Sequence, residues 1–97
     1  MAFKLSFTPE ARDVLQALEK KDKPKHRNVL KTLGLIESNP RHPGLRTHKF
    51  KSLSGPNGED VSEAYVEQDT PAARRVFWYY GPGRATIRII TIARHPK

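Results

Sequence analysis

The chain has 97 residues, a formal net charge of +8, no cysteine and 36% hydrophobic side chains. That is one domain, residues 1–97, with a single modest core. It excludes disulfides, thiol catalysis and thiolate metal sites. No apolar run approaches the ~20 residues of a membrane span, and Met1-Ala2-Phe3-Lys4-Leu5-Ser6-Phe7 is too short and mixed for a signal peptide. A cytoplasmic protein with no membrane association is expected.

In chain order, Phe3, Leu5 and Phe7 alternate with Lys4 and Ser6, the pattern of a strand with one buried face. Thr8, Pro9 and Glu10 read as N-cap, N1 proline and first-turn acid, and Ala11, Val14, Leu15 and Leu18 follow at helical spacing. Pro24 opens a second helix with the apolar stripe Val29, Leu30, Leu33 and Ile36, stopped by Asn39-Pro40. So short a break between the two predicts an antiparallel helical hairpin over residues 9–38. "HKFKSL" in the Pro- and Gly-rich stretch 40–60 can hold a short extended piece. Strands are predicted over residues 61–67, 74–80 and 86–93. The last is nearly continuous in apolar residues, as in a central strand covered on both faces. The fold class is therefore α+β, with the helical hairpin on one face of a mainly antiparallel sheet of about four strands. Val14, Leu18, Leu33, Val76 and Ile89 are expected in the core.

The charge is laid out in blocks. Residues 23–51 hold eight basic side chains and one acidic, residues 52–70 five acidic and none basic, and residues 71–97 six basic and none acidic. Two basic blocks around an acidic one point to a polyanionic partner.

The four histidines, His26, His42, His48 and His95, have no paired spacing, so no metal site is expected; no Gly-rich phosphate loop precedes a helix, and no organic cofactor is expected either. The aromatic run Phe77-Trp78-Tyr79-Tyr80 alternates faces, so at least two of the rings are core. Arg75, beside Arg74, is placed to hold a phosphate bidentately. If the following turn centres on Pro82-Gly83, Arg75 falls opposite Ile90 and shares a face with Arg88 and Arg94, with His95 on the other face. His48, Lys49 and Lys51 form a second basic cluster. Glu63 and Glu67 can pair with the arginines of the neighbouring strand, or Glu63 can serve as a general base.

The order of elements, with "FTPEARDVLQALEKK", "HKFKSLSG", "RVFWYY" and "TIARHP", resembles the RelE/ParE superfamily of toxins from toxin–antitoxin systems, over nearly the whole chain. The resemblance implies a ribosome-dependent endoribonuclease that turns the RNA 2′-hydroxyl onto the adjacent phosphate, with a cognate antitoxin, the ribosome and mRNA as partners. It implies Arg75 as the phosphate-binding arginine, His95 as general acid or base, and Arg94 as added charge stabilisation. His48, Lys49, Lys51, Arg74 and Arg88 become RNA contacts. Glu63 and Tyr65 stand where RelE-like sequences carry basic residues. The ParE branch shares the fold, has no nuclease activity and poisons DNA gyrase. A member that only binds nucleic acid or a protein partner is the third reading.

Overall fold

In the computed structural model, which describes residues 2–67 and 73–94, the elements run β1 (Lys4–Phe7), α1 (Pro9–Lys21), α2 (Lys23–Ser38), β2 (His48–Ser54), β3 (Asp60–Tyr65), β4 (Arg74–Tyr80) and β5 (Thr86–Arg94). A 3-10 turn, Pro43–Leu45, precedes β2. The sheet has five strands in the order β1-β5-β4-β3-β2, one more than expected. β1 lies parallel to β5 and every other pair is antiparallel.

The capping chemistry explains the helix limits. The Thr8 side chain accepts from the Ala11 amide at 3.1 Å, and Asp22 ends α1 while its carboxylate caps α2 by accepting from the Lys25 amide at 3.1 Å. One residue thus serves both helices, so the chain reverses with no free loop.

The helices cover one face of the sheet. Ala11, Leu18, Val29, Leu33 and Ile36 pack there against Ala64, Val76, Trp78, Ile87, Ile89 and Ile92, with Val14 partly buried at the margin. Leu30, placed in the apolar stripe from sequence, is exposed instead. Its neighbour Val29 takes the inward position and is fully buried. Leu45, from the 3-10 turn, completes the core.

β5 lies between β1 and β4, but it is not buried on both faces. Phe77 pairs with Thr91 and Trp78 with Ile89, which leaves Ile90 as an extra residue in a β-bulge. The bulge shifts the phase of the strand. Ile87, Ile89 and Ile92 all point to the helices and are fully buried, whereas Ile90 is only half-buried. The continuous apolar run therefore records a change of phase rather than two covered faces. Thr8 latches this irregularity, since its hydroxyl donates to the Ile90 carbonyl at 2.5 Å and its amide donates to the Ile89 carbonyl at 3.1 Å.

Candidate functional site

The bulge and the turn before β5 reset the register on which the arginine stripe depended. Residues 81–85 form the turn, with Gly81 and Gly83 at φ 112° and 93°, in the left-handed region that favours glycine. Arg75 consequently lies opposite Ala93, not Ile90, and Arg94 lies opposite Arg74. Arg94 and Arg74 therefore share the helix-side face, where with Lys21 and Lys25 they line a cavity of about 460 Å³. The Arg74 guanidinium there donates to the Ile92 carbonyl at 3.0 Å. Arg88 pairs with Tyr79 and stays on the face of Arg75. The stripe of three is thus two arginines on one face and one on the other.

On the open face, β2, β3 and β4 bring four side chains together. Glu63 faces Phe77 across β4 and His48 across β2, and Tyr65 faces Arg75. The Glu63 carboxylate is fully buried, yet Oε1 lies 2.7 Å from His48 Nε2 and Oε2 lies 3.5 Å from Arg75 Nη1. A buried carboxylate persists only when paired, because desolvation costs several kcal/mol otherwise. The Arg75 guanidinium sits 3.6 Å above the Tyr65 ring centroid, a cation–π contact. The His48 ring meets the edge of Tyr65 at 5.9 Å, and its Nδ1 donates to the Arg46 carbonyl at 3.2 Å. Both imidazole nitrogens thus face oxygen, Nδ1 through a hydrogen bond to a carbonyl and Nε2 at ion-pair distance from a carboxylate. Exposure grades across the cluster: Glu63 is closed off, Arg75 is 16% exposed and His48 is 47% exposed. A cation and a proton-carrying ring therefore reach the surface from a common buried anion.

The expected pairing of Glu63 with a neighbouring arginine is present, while Glu67 instead bonds Lys25 of α2 at 2.8 Å. His48, grouped by sequence with Lys49 and Lys51, separates from them. Lys49 pairs with Ser62, on the other face, and bonds Asp60 at 3.2 Å. Lys51 is exposed on the edge strand β2. Arg88, with Lys4 and Thr86, borders a cavity of about 550 Å³ farther along the open face. His95 lies outside the described residues. Sequence reasoning gave His48 an RNA contact and missed its carboxylate partner. Tyr65 it read only as a departure from a basic position. The signal needed was the β2–β3 register, which the turn Gly55-Pro56-Asn57-Gly58 leaves open. No three His, Asp or Glu side chains converge as a metal-ligand group among the described residues.

No protein-family profile matches the chain, and no curated protein matches it in sequence. Solved structures do match in shape over almost the full length. A YoeB/ParE toxin from Agrobacterium tumefaciens is similar with a TM-score of 0.74 at 11% identity, covering 96% of this chain and 99% of that one. The YoeB–YefM toxin–antitoxin heterotetramer from Staphylococcus aureus gives a TM-score of 0.70 at 17% identity, covering 99% and 100%. The archaeal RelE–RelB complex from Pyrococcus horikoshii gives 0.69 at 19% identity, covering 97% and 96%. The helical hairpin on this strand order is therefore the fold of the RelE/ParE toxins, as the resemblance implied.

Proposed function

We propose that the chain is the toxin of a toxin–antitoxin pair and cuts mRNA on the ribosome through its open-face cluster. The observation that carries this reading is the buried Glu63 carboxylate joined to a half-exposed imidazole and a guanidinium, on the fold shared with RelE and YoeB toxins. RNA cleavage by the 2′-hydroxyl forms an O2′–P bond and breaks the P–O5′ bond. It needs a proton taken from O2′, charge stabilised on the phosphate and a proton given to O5′. Arg75 has five N–H donors, of which one faces Glu63, so it retains donors for the phosphate oxygens. His48 carries one of the two protons. Its exposure leaves room for the ring to swing off Glu63 towards a substrate. His95 takes the other transfer. Arg88 and Lys51 contact the flanking backbone. An acidic antitoxin segment would neutralise these cations.

A second reading, a toxin of this fold without nuclease activity, is favoured by one observation. Both His48 nitrogens and both Glu63 oxygens are engaged within the cluster, and Arg75 is largely buried, as in an ion group that only stabilises the fold. Mapping mRNA ends after induction, beside a DNA-supercoiling assay, separates the two. Cleavage within translated messages that falls ~10²-fold in His48→Gln, with supercoiling unaffected, supports the nuclease. Intact messages with inhibited gyrase support the alternative.

A further inference from the structure

On the helix side of the sheet, where β3 and β4 meet the segment before β2, a cavity of about 400 Å³ is bordered by Arg41, His42, Arg46, Ser62, Trp78 and Tyr80. Its charged lining is wholly cationic. Arg41 and Arg46 are exposed and carry only N–H groups. His42 Nδ1 accepts from the Gly44 amide at 2.9 Å, which leaves the ring proton on Nε2. The indole N–H of Trp78 is buried without a hydrogen-bond partner, although the ring is 1% exposed. No carboxylate borders the cavity among the described residues. Two arginines with no carboxylate beside them favour an anion. Tyr80, packed edge-on against Trp78 at 4.9 Å, adds a large ring that is 47% exposed.

We infer that this cavity binds single-stranded RNA, one base against Tyr80 and the adjoining phosphate on Arg41 and Arg46. The aromatic surface decides between polyanions. A base gains from stacking on a tyrosine, whereas an aspartate or glutamate side chain has no flat face to offer it. Arginine forks match phosphate geometry. Arg46 also joins the two faces, since its side chain borders the cavity while its carbonyl holds His48 Nδ1. An RNA strand seated here runs over the start of β2 towards the Glu63 cluster. Binding at this position goes beyond the cleavage reading and does not require it.

Trp78 is the single tryptophan of the chain, so its emission reports on the cavity directly. The full chain is titrated at fixed ionic strength with a short single-stranded RNA, a polyglutamate peptide and sodium phosphate. RNA is expected to change Trp78 emission saturably. Affinity should fall about tenfold or more in the Arg41→Gln/Arg46→Asn pair, as for lost phosphate contacts. Asparagine is chosen because Arg46 has φ 49°, a left-handed conformation that asparagine tolerates. Tyr80→Leu should weaken RNA and leave phosphate binding unchanged. Glu63→Gln should lose any cleavage yet keep the titration, so failure of the nuclease reading and failure of this one are told apart. The inference is overturned if RNA leaves the emission unchanged, or if the double variant and Tyr80→Leu both bind RNA like the parent. Saturation by polyglutamate or phosphate at concentrations no higher than RNA requires also overturns it.

Discussion

The two faces of the sheet are made from alternate residues of the same strands, yet they are closed in different ways. On the helix side, Val76, Ile87, Ile89 and Ile92 are fully buried beneath α1 and α2. On the open side, Val61, Glu63, Phe77 and Tyr79 are also buried, but by one another and by side chains such as Phe50, whose ring meets Phe77 at 5.0 Å. The first face is closed mainly by apolar area, which is tolerant of detail and supplies most of the stability. The second encloses a carboxylate, which is tolerable only with His48 and Arg75 in place. The open face thus keeps a carboxylate at its base where the helix side has apolar side chains, and the proposed function rests on that difference.

Substitutions sharpen this contrast. Ile89→Ala opens a cavity under the helices and should cost about 2–5 kcal/mol, the range for a buried isoleucine. Urea unfolding followed by circular dichroism measures it, and a loss below ~1 kcal/mol would mean that the helix side is not the main core. Glu63→Ala should cost less, about 2–3 kcal/mol, by leaving the Arg75 and His48 donors without their anion. If Glu63→Ala proves neutral, the open face does not depend on its charge. Thr8→Val removes the α1 cap and strips the Ile90 carbonyl of its donor, so ~1–2 kcal/mol is expected, with faster hydrogen exchange at the start of α1.

The smallest effect is a pH dependence at the sheet end. The hydrogen bond from Lys25 holds the Glu67 carboxyl below its ordinary value of 4.5, against the opposing cost of burial. The folded value is lower than the unfolded one, so this stabilisation is complete above pH 4.5 and is lost as pH falls through the folded value. Glu67→Gln should flatten the acid limb of the stability curve and cost no more than ~1 kcal/mol at neutral pH. An unchanged limb would show that the pair is not formed in solution.

Much of this contrast is legible in the amino-acid sequence. Thr8 and Asn39 mark helix limits, and the Phe77-Trp78-Tyr79-Tyr80 run announces a strand with rings on both sides, because capping and alternation are local. Register is not local. The turn at residues 81–85 and the bulge at Ile90 together move the partner of Arg75 by three positions, which sends Arg94 to the helix side. A bulge is stabilised by a contact 82 residues away, from Thr8, and no window of the sequence contains both. The meeting of His48 with Glu63 likewise depends on β2, an edge strand with a single regular stretch of pairing before its irregularity. His95 was named from the resemblance and lies outside the described residues.

In the proposed function the carboxylate at the base of the open face serves RNA cleavage as well as the fold. Glu63→Gln keeps the side-chain volume and removes the charge. The direct measurement is the single-turnover rate of ribosome-bound mRNA cleavage by the parent and by Glu63→Gln, each with its unfolding midpoint recorded. The expected result is cleavage by the parent and a rate about 10²-fold lower in Glu63→Gln that remains folded. A parent that leaves the message intact, or a Glu63→Gln variant that cuts at the parental rate, would contradict the account.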